Sequence, residues 1–426
     1  MATAPADAFD EDRLLRSARR IAEWEDFGPE PFRQPLDVLL ESLRSAGLND
    51  LGAMVMRGTL LRSLSQRLRA QRWWTVHPEI LDEAIDAPIV VVGMMRSGTT
   101  LLQRVLASDP RLACAYGWEV GEPSPRWGWN PNEIDPRVAD AEEREEQTRT
   151  FATELFAIHP TYVHEAEEEI VFLADAFLSH IPEASCDVPH YRSWVDTQDF
   201  APAYRWLRRM LQLLQWQKRQ RGEPVRPFVL KTPSHLGYLE TLLAEFPDAH
   251  VVHSHRDPVE VIPSGASLNT TLWRTHCDDV DPHEVGRQWI ERMGWACDRA
   301  MASRARIPAA QITDVSFADA LADPVGAAGT VLDAVGLGLT DETVIAMEAW
   351  IAQDRKREKL PTHRYAAADF GLTDDQIRER FASYTQMFLQ VPDSADARAP
   401  SGDGRAARAG DGGAPALGPP GGHPGA

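Results

Sequence analysis

The stretch Pro88-Ile89-Val90-Val91-Val92-Gly93-Met94-Met95-Arg96-Ser97-Gly98-Thr99-Thr100-Leu101-Leu102 constrains the fold more than any other part of the chain. Ile89 to Val92 is too short and too β-branched for a helix. It reads as a strand buried on both faces, the kind found inside a parallel sheet. A glycine, a polar loop and the opening of a helix follow at once, which is the first half of a βαβ unit. The same texture returns between Arg226 and Leu268. There PFVLK reads as a strand, SHLGYLETLLAEFP as a helix entered through Pro233 and Ser234, AHVVHSHRD as a second strand, and Pro258 opens another helix. The expected fold class is α/β, a P-loop-like three-layer α/β/α arrangement around a central parallel sheet. Ligands of such sheets gather at the carboxyl ends of the strands.

The flanks divide by texture. Residues 1–87 form an expected N-terminal helical region that packs on the core: RLLRSARRIAEWEDF, then LDVLLESLRSAG ending at Gly47, then LGAMVMRGTLLRSLSQRLRAQRWW, with Pro29, Pro31 and Pro35 breaking the chain before the second. Residues 88–390 are the expected α/β domain, with a Trp-rich, irregular block at 115–225 and a helical one at 283–350. Residues 391–426 carry almost no aliphatic side chains and form an expected disordered tail, because such a composition cannot bury enough apolar surface to order itself.

Charge excludes several classes of partner. Across 426 residues, 44 Lys+Arg against 64 Asp+Glu leave a net charge of −20, so nucleic acid and long polyanions are not expected. No apolar run reaches the roughly 18 residues of a membrane span, and the acidic N-terminus lacks the basic-then-apolar order of a secretory signal. Four scattered cysteines, Cys114, Cys186, Cys277 and Cys297, make no CxxC pair and point to a reduced, cytoplasmic protein. Nothing in the pattern sets an oligomeric state.

The chemistry concentrates in Gly93–Thr100. Backbone amides at the start of the following helix point at one spot, carrying the positive end of the helix dipole. Arg96 adds a charged fork, and Ser97, Thr99 and Thr100 add hydroxyls around Gly98, together a nest for a phosphate-like anion. The plainer alternative is a glycine turn before a helix capped by Ser97 or Thr99. The segment is not GxxxxGK[ST], since Thr99 stands where that loop has its lysine. A magnesium-dependent nucleotide kinase or hydrolase, and an inactive nucleotide-binding protein of the same fold, are the rival readings.

VVVGMMRSGTTLLQRVLASDP resembles the 5′-phosphosulfate loop of bacterial-type sulfotransferases that use 3′-phosphoadenylyl sulfate (PAPS), with Met95 where that family commonly has proline. A second match supports it: in VVHSHRDPVEVIPSGASL, Arg256 ends a strand and Ser264 follows eight residues later, like the family's pair that holds the 3′-phosphate. A third, residues 363–388, resembles the C-terminal segment that closes over the nucleotide, and brings in His363, Arg364 and Tyr365. The resemblance implies a sulfotransferase that moves a sulfuryl group from PAPS to a hydroxyl or amine of a small or lipid-like acceptor, releasing adenosine 3′,5′-bisphosphate without a metal.

It also implies catalytic groups. Lys231, at the end of the PFVLK strand, matches the lysine that stabilises the leaving oxygen. Glu119 is the expected general base, with His235, Glu122, His164 and Glu165 as rivals. His159 and His164 are five apart, the wrong spacing for metal ligands on one helical face. The middle tryptophans, Trp118, Trp127, Trp129, Trp194, Trp206 and Trp216, suit an apolar acceptor but are first expected as core.

Overall fold

The computed structural model describes residues 8–389 except residues 30, 159 and 358–364. At its centre is a four-stranded parallel sheet of β1 (Ile89–Gly93), β2 (Val229–Lys231), β3 (His250–His255) and β4 (Ile312–Ser316), in the order β2-β1-β3-β4. Every residue of β1, β2 and β3 is buried, as the apolar run of β1 requires; β3, HVVHSH, buries three histidines and a serine besides its two valines. After β1 the chain crosses to β2 on one side, and after β3 it crosses to β4 on the other. The crevice between the carboxyl ends of β1 and β3 is therefore the topological switch point, where open parallel sheets bind their ligands.

One apolar cluster joins the sheet to the N-terminal helices Glu11–Ala22, Arg33–Arg44 and Asp50–Val76. Polar ties reinforce the contact: Arg62 pairs with buried Asp175 (2.5 Å), and the Tyr191 amide donates to Ser42 Oγ (2.8 Å). Pro35 does not precede the second helix but sits in its first turn, where a missing N–H costs nothing. A smaller cluster beneath the other face packs Leu102, Val105 and Leu106 against Val331, Leu332 and Met347.

Two expectations need correction. The block at 115–225 is not irregular: it carries the 20-residue helix Ala201–Gln220, whose Ala203, Leu207, Met210, Leu211 and Leu214 are buried at helical spacing. The block at 283–350 is not wholly helical, because it contains β4. This edge strand, ITDVS, buries only Val315 fully, so it lacks the continuous apolar run that marks a central strand. The tail from residue 390 lies outside the described residues. No helix among those described is long and apolar enough to cross a membrane.

Candidate active site

The glycine loop after β1 is shaped by two unusual backbones. Arg96 adopts φ 75°, a left-handed conformation that costs energy for a residue with a Cβ. Gly98 has φ 84°, and a Cβ there would stand 2.4 Å from the ring of Phe317, so only glycine fits. The loop is tied to β3, where Ser254 Oγ donates to the Ser97 carbonyl (2.7 Å). The helix Thr99–Ala107 starts at this loop, and the fully buried Ser97 Oγ has no hydrogen-bond partner among the described residues. An orphaned hydroxyl beside free helix-terminal amides fits an anion.

The second expected anion group meets the first directly. Arg256 leaves the end of β3, and its Nη1 donates to the carbonyl of Arg96 (3.0 Å), 160 residues away in the chain. Arg96 Nε in turn donates to Ser264 Oγ (3.2 Å) on the helix Pro258–His276. Phe317, not singled out in the sequence, lies under Arg256 at 4.1 Å and against Gly98, and so fixes both. Desolvation lowers the Arg96 pKa. Nearby Tyr365 opposes that shift and Arg256 adds to it. Arg256 Nε also pairs with Glu260 (2.8 Å), and an anion between the two guanidiniums would relieve the repulsion that remains between them. His363 and Arg364 lie outside the described residues; Tyr365 is described and within electrostatic reach of Arg96.

Lys231 ends β2 beside the same loop. Its Nζ donates to Thr100 Oγ1 (3.0 Å) and pairs with Glu168. Glu169, the next residue, is 1% exposed and faces the other way. One of its oxygens accepts from the Lys231 amide (3.0 Å), and the other lies 2.8 Å from His235 Nε2. His235 Nδ1 lies 2.8 Å from the hydroxyl of Tyr204, so both ring nitrogens are engaged in a fully buried chain. Burial raises the Tyr204 pKa far above its ordinary value, keeping that hydroxyl protonated. His235 therefore sits behind Lys231 and Glu168, braced between two elements.

The expected base lies elsewhere. Glu119 is 1% exposed, and both its oxygens accept from Lys218 Nζ (2.9 and 3.0 Å). It also accepts from the Tyr116 amide (3.0 Å) and lines a separate concavity with Tyr116, Lys218 and Arg221. The rivals are committed too. Glu122 pairs with Arg69, Arg126 and Arg144; Glu165 pairs with Arg357 and accepts from Trp350; His164 pairs with Glu142.

Glu168 was missed as a candidate, although the acidic run Glu165–Glu169 was visible. Nothing in the sequence separates one of its members from the next. Tertiary structure sends them to different partners.

Glu168 and Met95 border an apolar cleft with a cavity volume of about 120 Å³, open on one side. Its walls come from Ile170, Ile181, Trp273, Trp289, Met293 and Trp295. None of these is a middle-block tryptophan. Trp127, Trp129 and Trp216 instead cluster on Trp73, and Trp206 packs on Trp74. Of the His159/His164 pair, His159 lies outside the described residues. His253, His255 and Asp314 do approach one another, but Arg304 already forks onto Asp314, and Tyr384 and Asp314 occupy both nitrogens of His255.

Comparison with known proteins bears on the fold and the family. A model of the sulfotransferase family matches residues 88–341, more than half of the chain. The sulfotransferase STF1 from Mycobacterium tuberculosis H37Rv superposes with a TM-score of 0.75 at 32% identity, covering 89% of this chain and 100% of that one. STF9 from Mycobacterium avium superposes with a TM-score of 0.80 at 24% identity, over 89% and 97%, and shares the fold. Among curated proteins, omega-hydroxy-beta-dihydromenaquinone-9 sulfotransferase Stf3 of Mycobacterium bovis is 28% identical over 201 residues, which is 45% of this chain. The chain spans about half the length of that relative, 47%. Thr99 in place of the kinase-type lysine leaves the nucleotide kinase reading without support. From the glycine loop to β4, the chain belongs to the sulfotransferase family.

Proposed function

We propose that the crevice between β1 and β3 binds PAPS and that the apolar cleft beside it presents an acceptor hydroxyl to Glu168. One observation carries the reading: Arg256 reaches the Arg96 carbonyl while Arg96 reaches Ser264, so two cationic anchors distant in sequence share a single crevice. Ser97, Gly98, Thr99 and Thr100 with Arg96 would hold the phosphosulfate end, and Arg256 with Ser264 the 3′-phosphate. Tyr365, within electrostatic reach of Arg96, would contribute to the same site.

The donor supplies a sulfuryl group already bonded to a phosphate leaving group. The protein positions its reactants and balances charge. Lys231, anchored on Thr100, stands ready to stabilise negative charge on the departing oxygen. Glu168, paired with Lys231 yet bordering the cleft, is placed to take the acceptor's proton. Glu169 and His235 hold the pair in place from behind. The apolar walls favour an acceptor with substantial hydrocarbon, in line with the lipid named for the curated relative. All four cysteines are buried and unpaired, which suits a reducing, cytoplasmic setting.

Titration with adenosine 3′,5′-bisphosphate tests the donor site. The native protein should release heat at one site per chain. Arg256→Ala should bind about a hundredfold more weakly, because a charged, bidentate group is worth roughly 2–3 kcal/mol. No binding by the folded native protein would defeat the proposal.

A further inference from the structure

A second apolar cleft lies back to back with the first. The short helix Ile181–Ser185 separates them: Glu183 and Ala184 line the cleft that begins at Glu168, Pro182 and Ser185 line the other, and Ile181 borders both. The helix Pro258–His276 contributes in the same way, with Trp273 on one side and His276 on the other. These residues also pin the partition. Trp273 Nε1 donates to the Glu183 carbonyl (3.1 Å), and His276 Nδ1 lies 3.1 Å from the Ser185 carbonyl.

The second cleft, with a cavity volume of about 150 Å³, lies between the N-terminal helices and the segment before the partition, with Leu39, Leu43, Met56, Leu60 and Phe177 among its walls. Its outer lip is apolar as well. Val55 is 36% exposed there, and Leu51, one helical turn earlier on the same face, is 47% exposed.

We propose that the second cleft receives the far end of the acceptor's apolar chain, whose hydroxyl end lies at Glu168 and whose middle passes Ile181. This rests on the reading of the first cleft as the acceptor site and narrows it. The acceptor class becomes a long, slender alcohol, too extended for the first cleft alone, in place of a compact phenol. Ile181 is the one residue common to both walls, so a single chain crossing it joins the two without moving either pinned end of the partition.

Chain length is the variable to test. Linear alkan-1-ols from hexan-1-ol to dodecan-1-ol are titrated calorimetrically into the native protein and into Thr59→Trp. Thr59 is exposed on the lip of the second cleft, and its hydroxyl only donates back to the Val55 carbonyl (3.1 Å), so tryptophan fills the cleft without removing a core side chain. Native affinity should rise about fourfold per methylene through the longest member. Thr59→Trp should match it for short chains and then level off. Ile181→Trp, blocking the passage, should level off at the same length or earlier.

Equal slopes in all three proteins, a native plateau at short length, or no alcohol binding by the native protein would each overturn the proposal. Adenosine 3′,5′-bisphosphate titrated into the same samples reports separately on the donor site and on folding. Nucleotide binding without the chain-length effect sinks the tail site alone, and the chain-length effect without nucleotide binding sinks the donor assignment alone.

Discussion

Two lysine–glutamate pairs in this chain use the same chemistry to different ends. Glu119 and Lys218 form a closed pair, with side chains 1% and 8% exposed, both carboxylate oxygens spent on one ammonium, and Arg221 3.6 Å away. Lys231 and Glu168 form an open pair. Lys231 is 1% exposed, but Glu168 is 16% exposed and borders the apolar cleft, while the ammonium also touches Thr100 of the glycine loop. A closed pair braces structure, since every charge is already answered. A pair that borders a cleft leaves its carboxylate where a bound molecule could approach it, and here its ammonium also touches the glycine loop. Proximity of opposite charges, common to both, does not mark a site. Position on a cleft is what distinguishes the second pair.

The comparison can be broken by exchanging which glutamate is disabled. Glu168→Gln should lower kcat by about a thousandfold, the scale of losing a positioned base, and change adenosine bisphosphate affinity less than twofold. Lys231→Met should lower kcat comparably, about a hundred- to a thousandfold. Steady-state kinetics with calorimetry decides both. Full turnover in Glu168→Gln would invert the assignment.

Glu119→Gln should do the opposite. Leaving Lys218 buried and unanswered costs about 3 kcal/mol of stability, read from urea unfolding, with turnover per folded molecule unchanged. Selective loss of kcat in this variant would return Glu119 to the site.

A smaller effect sharpens the role of the brace behind the open pair. His235→Asn shortens the link between Glu169 and Tyr204 and should lower kcat about tenfold through displaced Lys231 and Glu168, leaving KM for the donor nearly constant. If His235 met the acceptor itself, the loss would approach that of Glu168→Gln.

The mildest test uses another carboxylate, the half-buried Glu183, in the partition between the clefts. Burial alone would raise its pKa, but His180, Arg292 and Arg192 overcome that and hold it at about 2. A depressed carboxylate stabilises the fold above its unfolded value of about 4.5, and that contribution is lost as pH falls toward 2. Glu183→Gln should therefore flatten the acid limb of stability below about pH 4.5, with no change in the shape of the curve near neutrality. Equal acid limbs for variant and native protein would show that the cluster does not set it.

Much of this arrangement was legible in the chain. The apolar run of β1 and the strand–helix–strand texture around β2 and β3 marked a buried parallel sheet, and the glycine loop was legible as a candidate anion cradle because backbone amides, Arg96 and hydroxyls are all local in sequence. β4 was not legible, because a half-exposed edge strand such as ITDVS has neither an apolar run nor regular alternation. The helix Ala201–Gln220 carries apolar residues at helical spacing throughout, so its periodicity was legible in the chain.

The residues by themselves determined that a strand, a glycine loop and a helix would cradle an anion, since that cradle is made of near neighbours and their backbone. Which of many carboxylates borders the apolar cleft was decided only by the tertiary structure. Glu119, Glu165, Glu168 and Glu169 are chemically alike, and what separates them is which distant parts of the chain pair with them and whether a cleft reaches them. Those pairings come from Lys218, Arg357, Lys231 and His235, residues 63 to 192 positions away, and no local pattern encodes a distance that only packing creates.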